Sequence, residues 1–142
     1  MKILKITALL FVVLCLANCK KDKDDTTPPT AMERLTAGDG RWYQEHSSFA
    51  TYTECEKHGS LRLFANGNFI LEEYSDTGGT CAVNVTRSGT WMLISDTEMS
   101  LALGASTMIY TINTVTATEL AVQFTIGEDV FTGSFDKTPG NG

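Results

Sequence analysis

The sequence predicts an all-β domain, a small eight-stranded antiparallel up-and-down barrel with a short helix ahead of it. Three observations carry this expectation. From Arg41 onward the chain breaks into short runs rich in β-branched and aromatic residues, several with alternating polarity. Brief clusters of Gly, Asn, Asp and Ser separate the runs, and such short links make consecutive strands antiparallel. No stretch of this region repeats its apolar residues at helical spacing.

Taken in order, the first element is helical. Thr30-Ala31-Met32-Glu33, after Pro28-Pro29, has the Thr-x-x-Glu form of a capping box, so a helix from Ala31 to Thr36 is expected. Met32 and Leu35 would fold under one end of the barrel as a plug. The strands then read Arg41 to His46, Ser60 to Ala65, Asn68 to Tyr74, Thr90 to Ile94, Glu98 to Leu103, Thr107 to Val115, Glu119 to Ile126 and Val130 to Phe135. Met99, Leu101 and Leu103 share one face of the fifth run, and Leu120, Val122, Phe124 and Ile126 share one face of the seventh. Asn66-Gly67, Ser95-Asp96, Gly104-Ala105-Ser106 and Gly127 supply turns. Eight such strands can hide their edges by closing into a barrel; a sandwich of the same strands is the alternative.

The N-terminus is an address. Lys2 and Lys5 precede an apolar run from Ile6 to Leu16. A spanning helix needs about 20 apolar residues, whereas a basic start, a shorter apolar run and a small-residue end make a secretory signal. Leu16-Ala17-Asn18-Cys19 resembles the lipobox of bacterial lipoproteins, departing at Asn18. The resemblance implies that Cys19 takes a diacylglycerol and becomes the mature N-terminus, anchored in the bacterial outer membrane on its periplasmic or its surface-exposed side. Lys20-Lys21-Asp22-Lys23-Asp24-Asp25 resembles the charged export tags of surface lipoproteins, and reads equally as a solvated tether. The expected organisation is a signal peptide over 1–18, lipidated Cys19 and tether over 19–38, barrel over 39–137 and a tail over 138–142.

The leader holds two of the 11 basic residues, so removing it takes the formal charge from -6 to -8. An acidic chain without a basic patch does not suit nucleic acid or anionic lipid surfaces. With Cys15 lost in the leader and Cys19 acylated, Cys55 and Cys81 are the thiols left, and an oxidising compartment allows them one pairing. That bridge is worth about 3.5 kcal/mol in the chain-entropy view.

Gly40-Arg41-Trp42 opens the first strand and resembles the lipocalin Gly-x-Trp motif, whose tryptophan packs across the closed end of the barrel. In layout over residues 30–136 the chain is similar to small lipocalin-like lipoproteins. The shared pieces are a cysteine before the second strand, Phe64-Ala65-Asn66-Gly67-Asn68-Phe69, a second cysteine and Gly89-Thr90-Trp91. A clear second or third lipocalin motif and a C-terminal helix are missing. Trp42 and Trp91 therefore read as core aromatics. Strand parity places the connections at 47–59 and 75–89, with Cys55 and Cys81, at one end of the barrel, and the tether, Asn66-Gly67 and the C-terminus at the other.

Sites of chemistry are sparse. Cys55 and His58, beside Glu54 and Glu56, have a metal-like spacing, but a disulfide consumes the sulfur a metal would need. His46 with Ser47, and Glu72 with Glu73, are neighbours on a strand and point to opposite faces. No phosphate loop or dinucleotide fingerprint occurs, and no cofactor is implied. The sequence thus points to a binding protein, not an enzyme. Eight strands leave an interior either filled or just wide enough for one small ligand. Phe64 or Leu63, Phe69, Trp91, Met99, Leu101, Tyr110, Leu120, Val122, Phe124 and Phe131 would fill much of it, leaving a shallow mouth. Tyr52 and Tyr74 are the expected rim residues there for a small apolar or amphipathic molecule. The alternative is a packed barrel whose loops bind an envelope or host protein, in the manner of lysozyme-inhibitor lipoproteins.

Overall fold

The structure, a computed structural model, describes residues 27–140. The leader, Cys19 and the first part of the tether, and residues 141–142, lie outside the described residues.

The capping box forms as its spacing predicts. Thr30 Oγ1 accepts the Glu33 N–H at 3.2 Å, and Glu33 Oε2 accepts the Thr30 N–H at 2.7 Å. The helix, α1, spans Ala31–Leu35, with Thr36 as its C-cap. Leu35 is fully buried beneath the barrel, but its expected companion Met32 faces solvent and Ala31 is buried in its place. Ala31 and Leu35, four residues apart, lie together on the buried face, and Met32, 36% exposed, sits at its edge.

All eight expected strands form. They are β1 (Arg41–Ser47), β2 (Ser60–Leu63), β3 (Asn68–Thr77), β4 (Thr80–Ser95), β5 (Glu98–Leu103), β6 (Ser106–Val115), β7 (Glu119–Ile126) and β8 (Asp129–Asp136). Each pairs antiparallel with the next, and β8 returns to β1, so the sheet is a closed up-and-down barrel. Inward residues face each other across the ladders: Trp42 opposite Leu61, Trp91 opposite Leu101, Met99 opposite Tyr110, and Leu120 opposite Phe135. Such apolar cross-strand pairs on a buried face fix the register.

Two expectations need correction. β2 stops at Leu63, because Phe64 and Ala65 enter the Asn66-Gly67 turn, with the Gly67 N–H bonded to the Phe64 carbonyl at 3.0 Å. Phe64 leaves the interior and carries the Arg62 guanidinium on its ring at 4.8 Å, so Leu63 is the inward residue. The connection expected over 75–89 is not a loop. β3 runs on to Thr77, turns at Gly78 and Gly79, whose φ values are 66° and 84°, and returns as β4. Two successive positive φ angles suit a two-residue hairpin turn. β4 joins β5 only from Thr90 onward, so the upper parts of β3 and β4 form an arm beyond the barrel wall.

The closed end is sealed around two indoles. Trp42 and Leu35 are fully buried, and Trp42 Nε1 donates to the Leu35 carbonyl at 2.9 Å. Trp91 Nε1 donates to the Phe64 carbonyl at 2.9 Å. Buried indoles keep their N–H satisfied in this way. The glycine ahead of each tryptophan makes room. Gly40 has φ 71°, and a Cβ there would run into the Leu63 carbonyl. A Cβ on Gly89 would meet the Ala102 carbonyl and come within 2.7 Å of the Phe69 ring. Side chains such as Leu35, Leu63 and Leu120 each contribute roughly 1.5–3 kcal/mol by burial.

Candidate functional site

The two ends of the barrel differ because β2 is short. Its four residues pair with β1 only as far as Tyr43, so the upper part of β1 has no β2 beside it. The β1–β2 loop covers that gap, through a 3-10 turn over Glu56–His58 and a bond from the Gln44 N–H to the Gly59 carbonyl at 2.9 Å. Below this cover lies a cavity of about 200 Å³.

Its floor is core: Leu61, Met99 and Val122 are buried residues that also line the cavity. Leu71, Leu101, Tyr110, Phe124 and Phe135 form walls, while His46, Ser47, Phe49 and Tyr52 stand at the rim. No Asp, Glu, Lys or Arg lines it. The space reaches into the barrel, deeper than the shallow mouth expected. Part of the room comes from Gly133 on β8, where an added Cβ would sit 3.6 Å from the Phe135 ring and 3.8 Å from Val122 Cγ2. These are ordinary contact distances, so a methyl group there would be accommodated without collision.

Aromatic rings follow one another toward the rim. Tyr110 and Phe124 lie 5.2 Å apart, Phe124 and Phe131 5.4 Å, and Phe131 and Phe49 5.6 Å in an edge-on pair. Phe49 is 73% exposed. Ser48 holds its segment on β8, donating its N–H to the Thr132 carbonyl and accepting the Thr132 N–H on Oγ, both at 2.9 Å.

The cysteines meet as expected. Cys55 on the loop and Cys81 on the β4 arm form a disulfide with a Cα separation of 5.5 Å, well inside the range such bridges occupy. It ties the cavity's cover to the arm and removes the Cys55 sulfur from metal ligation. His58 Nδ1 is 3.0 Å from the Glu54 carbonyl. Among the described residues no group of three or more His, Cys, Asp or Glu side chains is arranged to hold a metal. Ser47 Oγ accepts the Phe49 N–H at 3.0 Å and so serves the loop. Glu72 and Glu73 diverge as strand neighbours should, Glu72 pairing with Arg41 at 2.8 Å and Glu73 with Arg87 at 3.1 Å.

The two tyrosines expected at the rim part company. Tyr52 lines the cavity; Tyr74 does not. Tyr74 shares its strand face with Ile70 and Glu72, opposite Phe69 and Leu71, and its ring lies 5.9 Å from that of His58. Both tyrosines border a separate outer depression of about 280 Å³, with Gln44 and Asn84. Gly133 and Phe135 are site residues that sequence reasoning missed; alternation along β8 with Phe131 was the available signal.

No protein-family model and no curated protein matches the chain. Among solved structures it is similar to bovine odorant binding protein in complex with a selenium-containing odorant, at 14% identity over 68% of this chain and 70% of that chain, with a TM-score of 0.41. The same bovine protein in complex with undecanal gives 15% identity over 70% of each chain and a TM-score of 0.40. Its deswapped triple mutant gives 14% identity over 70% of this chain and 72% of that one, with a TM-score of 0.39.

Proposed function

We propose that this protein binds one small, uncharged, largely apolar molecule inside its barrel, and that lipid on Cys19 holds it to the bacterial outer membrane. The observation that carries the binding reading is the cavity of about 200 Å³, floored by core residues and lined without a formal charge. An apolar cavity of about 150 Å³ already admits benzene, so this one suits a body of roughly eight to ten heavy atoms. A carboxylate or ammonium would enter with no opposite charge to meet it, a costly transfer. Long lipids exceed the volume.

Calorimetric titration of the purified protein with propylbenzene and with octanoate tests this directly. Propylbenzene should bind and raise the melting temperature, while octanoate should not. Gly133→Val should abolish propylbenzene binding in a protein that melts no lower than the wild type. Absence of binding by every small apolar probe, with the protein folded, overturns the cavity reading. Labelling cells with a fatty-acid analogue tests the anchor, since Cys19→Ala should lose the label. One observation favours the protein-partner alternative: among the described residues, β4 has no partner strand on its β5 side before Thr90. Capture of an envelope protein through that edge, with no response to any apolar probe, would carry it.

A further inference from the structure

We infer that the cavity selects a neutral molecule bearing an acceptor oxygen, such as a ketone or aldehyde on a compact apolar body, and that the Tyr110 hydroxyl is the donor that reads it. This deepens the cavity reading and rests on it.

Tyr110 projects from β6 into the barrel, opposite Met99 and against Phe124 at 5.2 Å. It lines the cavity, and its hydroxyl donates to the Met108 sulfur at 3.7 Å, the one partner it has among the described residues. A thioether is a weak acceptor. Tyr110 is half-buried within an apolar wall, so this leaves a strong donor underused, and a partly desolvated hydroxyl without an oxygen or nitrogen partner carries a cost. Turning to a ligand oxygen gives up little. Burial also pushes the Tyr110 pKa up, so the group remains a neutral donor across the physiological range.

The competing polar groups are placed differently. His46 is exposed at the rim, and Ser47 Oγ already accepts the Phe49 N–H. The Gln44 amide lies against the Gly59 backbone. Tyr52 also borders the outer depression, where water reaches it. Ser134 also borders the cavity, but alternation from Gly133 and Phe135 turns its side chain to the other face of β8. Tyr110 couples a poorly satisfied hydroxyl to the apolar interior, where one hydrogen bond discriminates between ligands that can and cannot complete it.

Acetophenone and α-methylstyrene share one shape and differ in having C=O or C=CH2. Their hydration differs, so the informative quantity is each ligand's change in affinity between the wild type and Tyr110→Phe. Acetophenone should weaken by roughly three- to tenfold in the variant, and α-methylstyrene should change by less than about twofold. The carbonyl stretch of bound acetophenone should move to lower frequency in the wild type and return toward its apolar-solvent value in the variant. Equal changes for both ligands, or no carbonyl shift in the wild type, overturn the assignment while leaving the cavity reading intact. Failure of both ligands to bind the wild type overturns both. The carbonyl measurement needs no variant, so it decides the matter even if Tyr110→Phe misfolds.

Discussion

Lys137 Nζ lies 3.5 Å from the centre of the Trp42 ring. The same ammonium donates to the Arg41 carbonyl at 3.0 Å and to the Ala37 carbonyl at 3.4 Å. With Leu35 accepting from the indole N–H, Trp42 is held from its edge by α1 and from its face by the residue that follows β8. The contact joins the two ends of the barrel domain where the sheet closes.

Removing the Lys137 charge should therefore loosen the closed end. Burial pushes the ammonium below the usual lysine range, opposed by Asp39, so its desolvation offsets part of the gain from the ring and carbonyls. Lys137→Met keeps the apolar stem and loses the cation. We expect a loss of about 1–2 kcal/mol in urea unfolding. Native tryptophan fluorescence should change with it, and an unchanged midpoint would show that the stem alone matters.

Half of that arrangement was legible beforehand. Gly40-Arg41-Trp42 marks the closed end because a glycine before a buried indole has a local physical reason, the approach of the Leu63 carbonyl. Lys137 has no local signature, since its partner ring is almost a hundred positions away in the chain and the residue reads only as the last of the barrel segment, after the final strand. The arm was missed for another reason. Residues 80–88 are almost all exposed, so no one-sided apolar alternation marks them as a strand. Tyr74 was misplaced although strand parity from Phe69 and Leu71 already set its face, while Cys55 and Cys81 were paired correctly from compartment and parity.

Gly89 gives a second test of the closed end. Its backbone does not require a positive φ, so only space forbids a side chain. Gly89→Ala would place a methyl against the Ala102 carbonyl and 2.7 Å from Phe69 Cε1, forcing either the ring or the β4–β5 ladder to move. We expect about 1–3 kcal/mol of destabilisation, with perturbed near-ultraviolet dichroism from Trp91. An Ala variant as stable as the wild type would mean that Phe69 repacks freely.

Glu45 should make stability depend on pH. One of its carboxylate oxygens, Oε1, is buried with no hydrogen-bond partner among the described residues. Burial raises its pKa, Asp136 and Glu54 add to the rise, and Lys57 opposes it. A carboxyl with a raised folded pKa binds its proton more tightly in the fold than in the unfolded chain. Its favourable contribution is therefore present below the ordinary glutamate pKa and is lost as pH rises through the folded value. Glu45→Gln should be more stable than the wild type at pH 7, with the difference shrinking toward about pH 4. Urea midpoints across that interval decide it, and a constant difference would assign the effect to packing.

The disulfide should matter twice, once for stability and once for the site. Cys55 and Cys81 are 26 positions apart, a loop whose closure is worth about 3.5 kcal/mol. Replacing both by Ser should lower the melting temperature on the order of 10 °C. The same bridge pins the loop that carries Phe49 and Tyr52 across the cavity, and its first part is also anchored by the Ser48–Thr132 pair and the Phe49–Phe131 contact. Loss of the bridge should therefore speed ligand release more than it slows entry, because the floor of Leu61, Met99 and Val122 is untouched. Stopped-flow displacement of a bound apolar fluorophore, measured well below the melting temperature of the double variant, separates the two effects. A faster off-rate with an unchanged on-rate is the expected result; unchanged rates in both directions would show that the Ser48–Thr132, Phe49–Phe131 and Gln44–Gly59 contacts hold the cover in place without the bridge.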